Sequence, residues 1–222
     1  ALKLMGGRAF RAPSIYEQFY NDRGVSQASA VDPARDLQLA PESVYSGEVE
    51  YSARFLRDWV ALGAVHTSFI EGIVDLAQDA ADPDVVRYEN SRSPALVVGG
   101  DVELRREWRR GLMLAASYGY QRAQTLDAAV ANPLLPNVPE HLASVRCVVP
   151  IFKEIASLGF RATLEAPRRI RADSDATTQA AVVADATISG AVPDIGVRYV
   201  LGIYNFADWR YETPVDATFA SR

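Results

Sequence analysis

The sequence predicts an all-β protein: an antiparallel up-and-down transmembrane β-barrel, of which this chain supplies about nine strands. Three observations predict it. Apolar and polar residues alternate with period two over segments near the ~9–11 residues that a tilted strand needs to cross a bilayer. The connections between segments take turns in length. Leu56-Arg57-Asp58 is followed by the longer Gln78 to Asp84, and Trp108-Arg109-Arg110 by Thr125 to Pro139. Phe152 to Ala156 is followed by Arg168 to Gln179, and Val192-Pro193-Asp194 by Ala207 onward. Barrel strands in a membrane behave this way, with tight turns at one rim and long loops at the other, whereas a soluble sandwich has no reason to sort its loops. Finally, Tyr118 and Tyr120 close an apolar run at the long-loop end while Trp59 and Trp108 flank short turns opposite, as two interfacial girdles would.

The strands are expected in this order. Residues 2–10 form the first, where Gly6-Gly7 suggests a bulge or bend. In 43–55, Tyr45, Val49 and Tyr51 share one parity, and Ser46, Glu48, Glu50 and Ser52 the other. The third, 59–76, has apolar residues in both parities, so His66 has no assigned face. In 85–107, Leu96, Val98, Val102 and Leu104 oppose Asp101, Glu103 and Arg105. In 112–124, Leu112, Leu114, Ala116, Tyr118 and Tyr120 oppose Ser117 and Gln121. Residues 142–151 hold the lone cysteine, Cys147, in an apolar alternation that suits a small buried or lipid-facing residue. In 158–166, Phe160 and Leu164 oppose Arg161, Thr163 and Glu165. In 181–191, Ala184, Ala186 and Ile188 oppose Asp185, Thr187 and Ser189, and in 195–206 Val197, Tyr199, Leu201 and Ile203 oppose Arg198.

Composition narrows the function classes. The chain has 222 residues, 49% of them hydrophobic, with 23 basic and 28 acidic side chains, a mild acidity that argues against nucleic-acid binding. No uninterrupted apolar stretch approaches the ~18 residues of a membrane helix. The start at Ala1-Leu2-Lys3-Leu4, in mid-pattern, suggests a fragment. So does the strand count, since nine strands open at both ends would leave backbone groups unpaired in hydrocarbon.

Four local patterns follow one another along the chain. The first strand runs into Gly7-Arg8-Ala9-Phe10-Arg11-Ala12-Pro13-Ser14-Ile15-Tyr16-Glu17, and Leu39-Ala40-Pro41-Glu42 leads to a strand bearing Glu48. Tyr88-Glu89-Asn90 precedes Gly99-Gly100-Asp101-Val102-Glu103, and a loop holds Pro136-Asn137-Val138-Pro139-Glu140-His141. The last strand ends Tyr204-Asn205-Phe206-Ala207-Asp208-Trp209-Arg210-Tyr211-Glu212-Thr213-Pro214. In this order the chain resembles the C-terminal part of the barrel of a TonB-dependent outer-membrane receptor. Asn205-Phe206-Ala207-Asp208 departs modestly from that family's usual Asn-Leu-Phe-Asp. The resemblance implies a barrel of about 22 strands with a plugged lumen. Residues 1–222 would form one portion of it, without the plug or the closing strand. It further implies the outer membrane of a Gram-negative bacterium, long loops outside the cell, short turns in the periplasm, and residues 11–42 as a large external loop. The implied activity is uptake energised through TonB, without catalysis, of a scarce ligand, a ferric siderophore first, with cobalamin or an oligosaccharide as alternatives. The implied partners are TonB, the ligand, and outer-membrane lipid with lipopolysaccharide.

Candidate ligand contacts are Tyr16, Phe19, Tyr20, Asn21, Asp22 and Arg23 on the long loop, where aromatic faces and a cation suit an anionic, aromatic chelate. The competing reading is that Tyr16 and Phe19 pack the loop against itself. Arg168, Arg169 and Arg171 form a basic cluster that suits an acidic ligand, lipopolysaccharide phosphates or plain solvation. Glu48, Glu50, Asp101, Glu103, Arg105, Arg161, Glu165, Asp185 and Arg198 are expected to face the lumen, pairing with one another or holding the plug. His66 and His141 lie far apart without Cys or paired carboxylates at ligand spacing, so neither a metal site nor a cofactor is expected. Two rival classes remain: a passive porin-like channel, and a soluble all-β binding module that would bury Val98, Leu104, Leu114 and Leu201 in a core.

Overall fold

The computed structural model describes residues 1–22, 26–27, 39–78, 85–108, 110–152, 155–171 and 174–212. Its elements are β1 (Leu2–Arg11), α1 (Ile15–Phe19), β2 (Asn21–Asp22), β3 (Ser26–Gln27), β4 (Glu42–Phe55), β5 (Trp59–Glu71), β6 (Val74–Gln78), β7 (Val86–Asn90), β8 (Ala95–Glu107), β9 (Met113–Thr125), β10 (His141–Phe152), β11 (Ala156–Glu165), β12 (Ala181–Val192) and β13 (Val197–Ile203). Nine of the strands form one sheet in the order β1-β4-β5-β8-β9-β10-β11-β12-β13. Each neighbouring pair is antiparallel and follows in chain order, which is the up-and-down meander that the loop pattern predicts. The sheet does not close on itself: β1 and β13 each have one hydrogen-bonded neighbour.

Side chains opposite one another across a ladder share a face, so the register sorts the whole sheet. Lys3, Glu50, Ala64 and Asp101 lie in one row, and Met5, Glu48, His66 and Gly99 in the next. The same face continues through Glu103, Ser117 and Ser144, and then through Arg146, Arg161 and Asp185. The opposite face carries Leu4, Val49, Val65, Val102, Tyr118, Val145, Phe160, Ala186 and Leu201. The third predicted strand is therefore placed: His66 pairs with Glu48 on the polar face.

No large side chain is fully buried among the described residues, and the buried apolar set is Ala95, Ala115, Ala123, Ala156 and Ala181. Val98, Leu104, Leu114 and Leu201 are 40%, 42%, 43% and 67% exposed. Among the described residues, this single sheet layer with exposed leucines on one face shows none of the burial that the soluble module would give Val98, Leu104, Leu114 and Leu201.

Three expectations need correction. Gly6-Gly7 makes no bulge, and β1 pairs with β4 without a register shift. The predicted strands 59–76 and 85–107 are each two strands. β5 ends at Glu71 because Gly72 takes a left-handed φ of 66°, and β8 begins at Ala95, directly after Pro94. The severed ends, β6 and β7, join β2 and β3 in a second, four-stranded sheet beyond the long-loop rim, where β3 and β7 run parallel. Finally, residues 193–195 turn in a 3-10 helix, so the last strand starts at Val197 instead of Ile195.

Candidate functional site

Two regions hold the chemistry: the polar face of the sheet, and the knots that hold its long loops. All nine charged residues expected to share a face do so. Glu48, Glu50, Asp101, Glu103 and Arg105 stand on β4 and β8, and Arg161, Glu165, Asp185 and Arg198 on β11 to β13, in connected rows. Arg146, missed in the sequence reading, joins them. Its Nη2 donates to Glu103 at 2.8 Å, while Arg161, directly opposite it, donates to Asp185 at 2.6 Å. Lys3 Nζ donates to Glu50 at 2.5 Å. The β5–β11 stretch of this face forms a trough of about 640 Å³ lined by His66, Asp101, Glu103, Ser144, Arg146 and Arg161.

Glycines let these side chains lie flat. His66 Nε2 sits 3.8 Å from Asp101 Oδ2, with its ring over Gly99, where a Cβ would fall 2.7 Å from Nε2 and 2.6 Å from the Tyr120 carbonyl. A Cβ on Gly119 would come within 2.6 Å of Asp101 Oδ1. Among the described residues no group of three His, Cys, Asp or Glu side chains is arranged to hold a metal.

At the long-loop rim, the sequence patterns become knots. Arg11 forks between two carboxylates: Nε and Nη2 donate to Glu42 at 2.7 and 2.8 Å, and Nη1 donates to Glu17 at 2.9 Å. Glu17 in turn completes a capping box with Ser14 that starts α1, and Glu42 Oε1 also accepts the Val74 amide at 2.7 Å. Asn90 clasps Ala40 through both its amide atoms and donates to the Gly72 carbonyl, tying the first two long loops together. Glu17 is 13% exposed. Burial opposes its charge, but the Ser14 amide and then Arg11 outweigh that, holding its carboxyl below the usual range.

Above this knot Tyr16 stacks on Tyr20 at 4.2 Å, and the edge of Tyr88 meets Tyr16 at 6.1 Å. Tyr16 and Phe19 are exposed. β2 places Asn21 and Asp22 next in the chain, while Arg23 lies outside the described residues. The second cluster divides. Arg169 is buried and donates to the carbonyls of Leu134, Asn132 and Ser174. Arg168 donates to Asn137 and Glu165, and Arg171 is exposed. At the last strand Asn205 caps Trp209 through both amide atoms, and its own amide donates to Asp185 at 3.0 Å. The Ser14-x-x-Glu17 box was a legible helix start that the strand-based reading passed over.

A family model described as "TonB dependent receptor-like, beta-barrel" matches residues 3–211. No curated protein matches the sequence. Among solved structures, "Copper transporter OprC" superposes with a TM-score of 0.72 at 16% identity, over 96% of this chain and 32% of that one. The ferric-catecholate import receptor Fiu from K12 E. coli, in its closed form, gives 0.61 at 17% identity, over 96% and 31%. At these identities the likeness is one of fold, and the chain spans about a third of the length of either structure.

Proposed function

Because the chain belongs to the TonB-dependent receptor-like β-barrel family, we propose that it is wall of an outer-membrane receptor in a Gram-negative bacterium, importing a scarce ligand with energy delivered through TonB. The observation that carries this reading is the sorting of one continuous sheet into a charged face and an exposed apolar face. The apolar face is the lipid side. On β9 it runs from Leu114, level with Arg106, to Arg122, eight residues on, or ~26 Å along the strand before tilt, which matches an apolar band of ~25 Å. Tyr118, Tyr120 and His141 cluster near one border, with Tyr118 Oη 2.7 Å from His141 Nδ1, and Trp59 and Trp108 mark the other.

The charged face then lines the passage through Glu48, Glu50, Asp101, Glu103, Arg105, Arg161, Glu165, Asp185 and Arg198, with the plug supplied by another part of the receptor. The ligand is a ferric siderophore or a similar metal chelate. The Tyr16–Tyr20 stack and Phe19 offer it aromatic faces, and Asn21, Asp22 and Arg23 are further candidate contacts. Arg168 and Arg169 brace the loop that presents Arg171. Cells carrying the full-length receptor should accumulate labelled ferric siderophore when TonB is present. Deleting TonB should abolish uptake and leave surface binding intact. Uptake that persists would replace this reading with a passive channel.

A further inference from the structure

We propose that Trp59, Arg106 and Trp108 form a headgroup site for an anionic phospholipid on the short-turn rim of the apolar face. This rests on the membrane-spanning reading above. Arg106 is opposite Trp59 on the β5–β8 ladder and opposite Leu114 on the β8–β9 ladder, so it belongs to the face of Leu104, Leu114 and Phe55. Its guanidinium carbon stands 5.3 Å from the Trp59 ring centre and 4.3 Å from that of Trp108, between two indoles. Phe55 stacks on Trp59 and extends the platform.

The cation lacks an anion. Among the described residues Arg106 has no ion pair and no hydrogen-bond acceptor, and its Nε is closed off from water. The carboxylate beside it in the chain, Glu107, belongs to the other face, where it lies 3.1 Å from Arg105. On the charged face, by contrast, Arg146 is paired with Glu103 and Arg161 with Asp185. A guanidinium against two indoles keeps its charge, and the fork of its terminal nitrogens matches two phosphate oxygens.

Position selects the source of the phosphate. Exposed Phe55 and Leu114 flank the box in its own row and exposed Leu104 lies one step inward, a surface for acyl chains, and the adjoining turns add exposed Arg57 and Arg110. A free phosphate ion would use the arginine and leave the greasy surface bare. A phospholipid uses both, with the indoles at headgroup depth, where aromatic residues of membrane proteins gather.

The test uses full-length receptor in a neutral detergent, titrated with phosphatidylglycerol and read by native mass spectrometry. Wild type should retain one more lipid per barrel than Arg106→Gln, with apparent affinity falling about tenfold in the variant. Arg106→Lys, which keeps charge but loses the fork, should fall between. Arg54→Gln, opposite Val60 near the same rim on the charged face, should bind as wild type. Equal lipid retention by wild type, Arg106→Gln and Arg106→Lys would overturn the site. So would displacement of the lipid by excess inorganic phosphate, which would make it a free-anion site. A receptor monodisperse without detergent would instead overturn the membrane-spanning reading, a separate and visible failure.

Discussion

Gly99 and Gly119 sit beneath His66 and Asp101, and the two notches differ in what a methyl group would strike. At Gly119 it meets only the far end of the Asp101 side chain, which can swing away. At Gly99 it meets the Tyr120 carbonyl as well as the imidazole, and the ladder itself would have to move. Gly99→Ala should therefore cost about 1–3 kcal/mol, as overpacking does, and lower the temperature at which the folded receptor band is lost on heating in SDS gels. Gly119→Ala should leave that temperature nearly unchanged. Equal behaviour of the two would show that the ladder at Gly99 has slack.

At the scale of elements, the start of the first long loop is held by one arginine. Arg11→Ala removes the partner of both Glu17 and Glu42, so α1 should loosen while the β1–β4 ladder stays paired. Limited proteolysis of the full-length receptor should cut near residues 12–20 in the variant and spare wild type. Acid should do the same. Glu17 titrates below its unfolded pKa of ~4.3, so its contribution is complete above that pH and fades as pH falls through the lower folded value. Protection of this loop that did not weaken at all on acidification would contradict the role given to Glu17. These loops also show where sequence reading stops. Parity made the long strands legible, because a period of two needs only local residues. It overran at 72–76 and 85–90, because a strand that leaves one sheet for another keeps its alternation, and only Gly72 and Pro94 betray the break. The fate of Arg169 was not legible at all. Three adjacent-looking arginines read as one basic patch, while burial, two carbonyls from the distant 132–134 segment and one from nearby Ser174 claim one of them. Arg146 was overlooked for the opposite reason: its strand was read for its apolar parity alone.

At the scale of the molecule, face assignment makes the sharpest forecast. With Cys147 replaced by alanine, single cysteines at Ser144 and Thr163 should react in intact outer membranes with a water-soluble maleimide. Cysteines at Val145 and Ala162, one residue away on the other face, should stay unlabelled until detergent is added. Labelling without alternation would mean that the sheet does not stand between lipid and water. One arrangement on the charged face governs how a solute would sense that wall. Glu103, Arg146, Arg161 and Asp185 lie in the sign order minus, plus, plus, minus, with no net charge. Such a row is a linear quadrupole, whose potential dies away much faster with distance than that of a lone ion. On the transport reading proposed above, a cargo held in mid-channel would feel little pull or push from it. Only an anion that brushed the surface would meet the two central guanidiniums, so at this height such a wall would sort solutes by contact, not by long-range attraction.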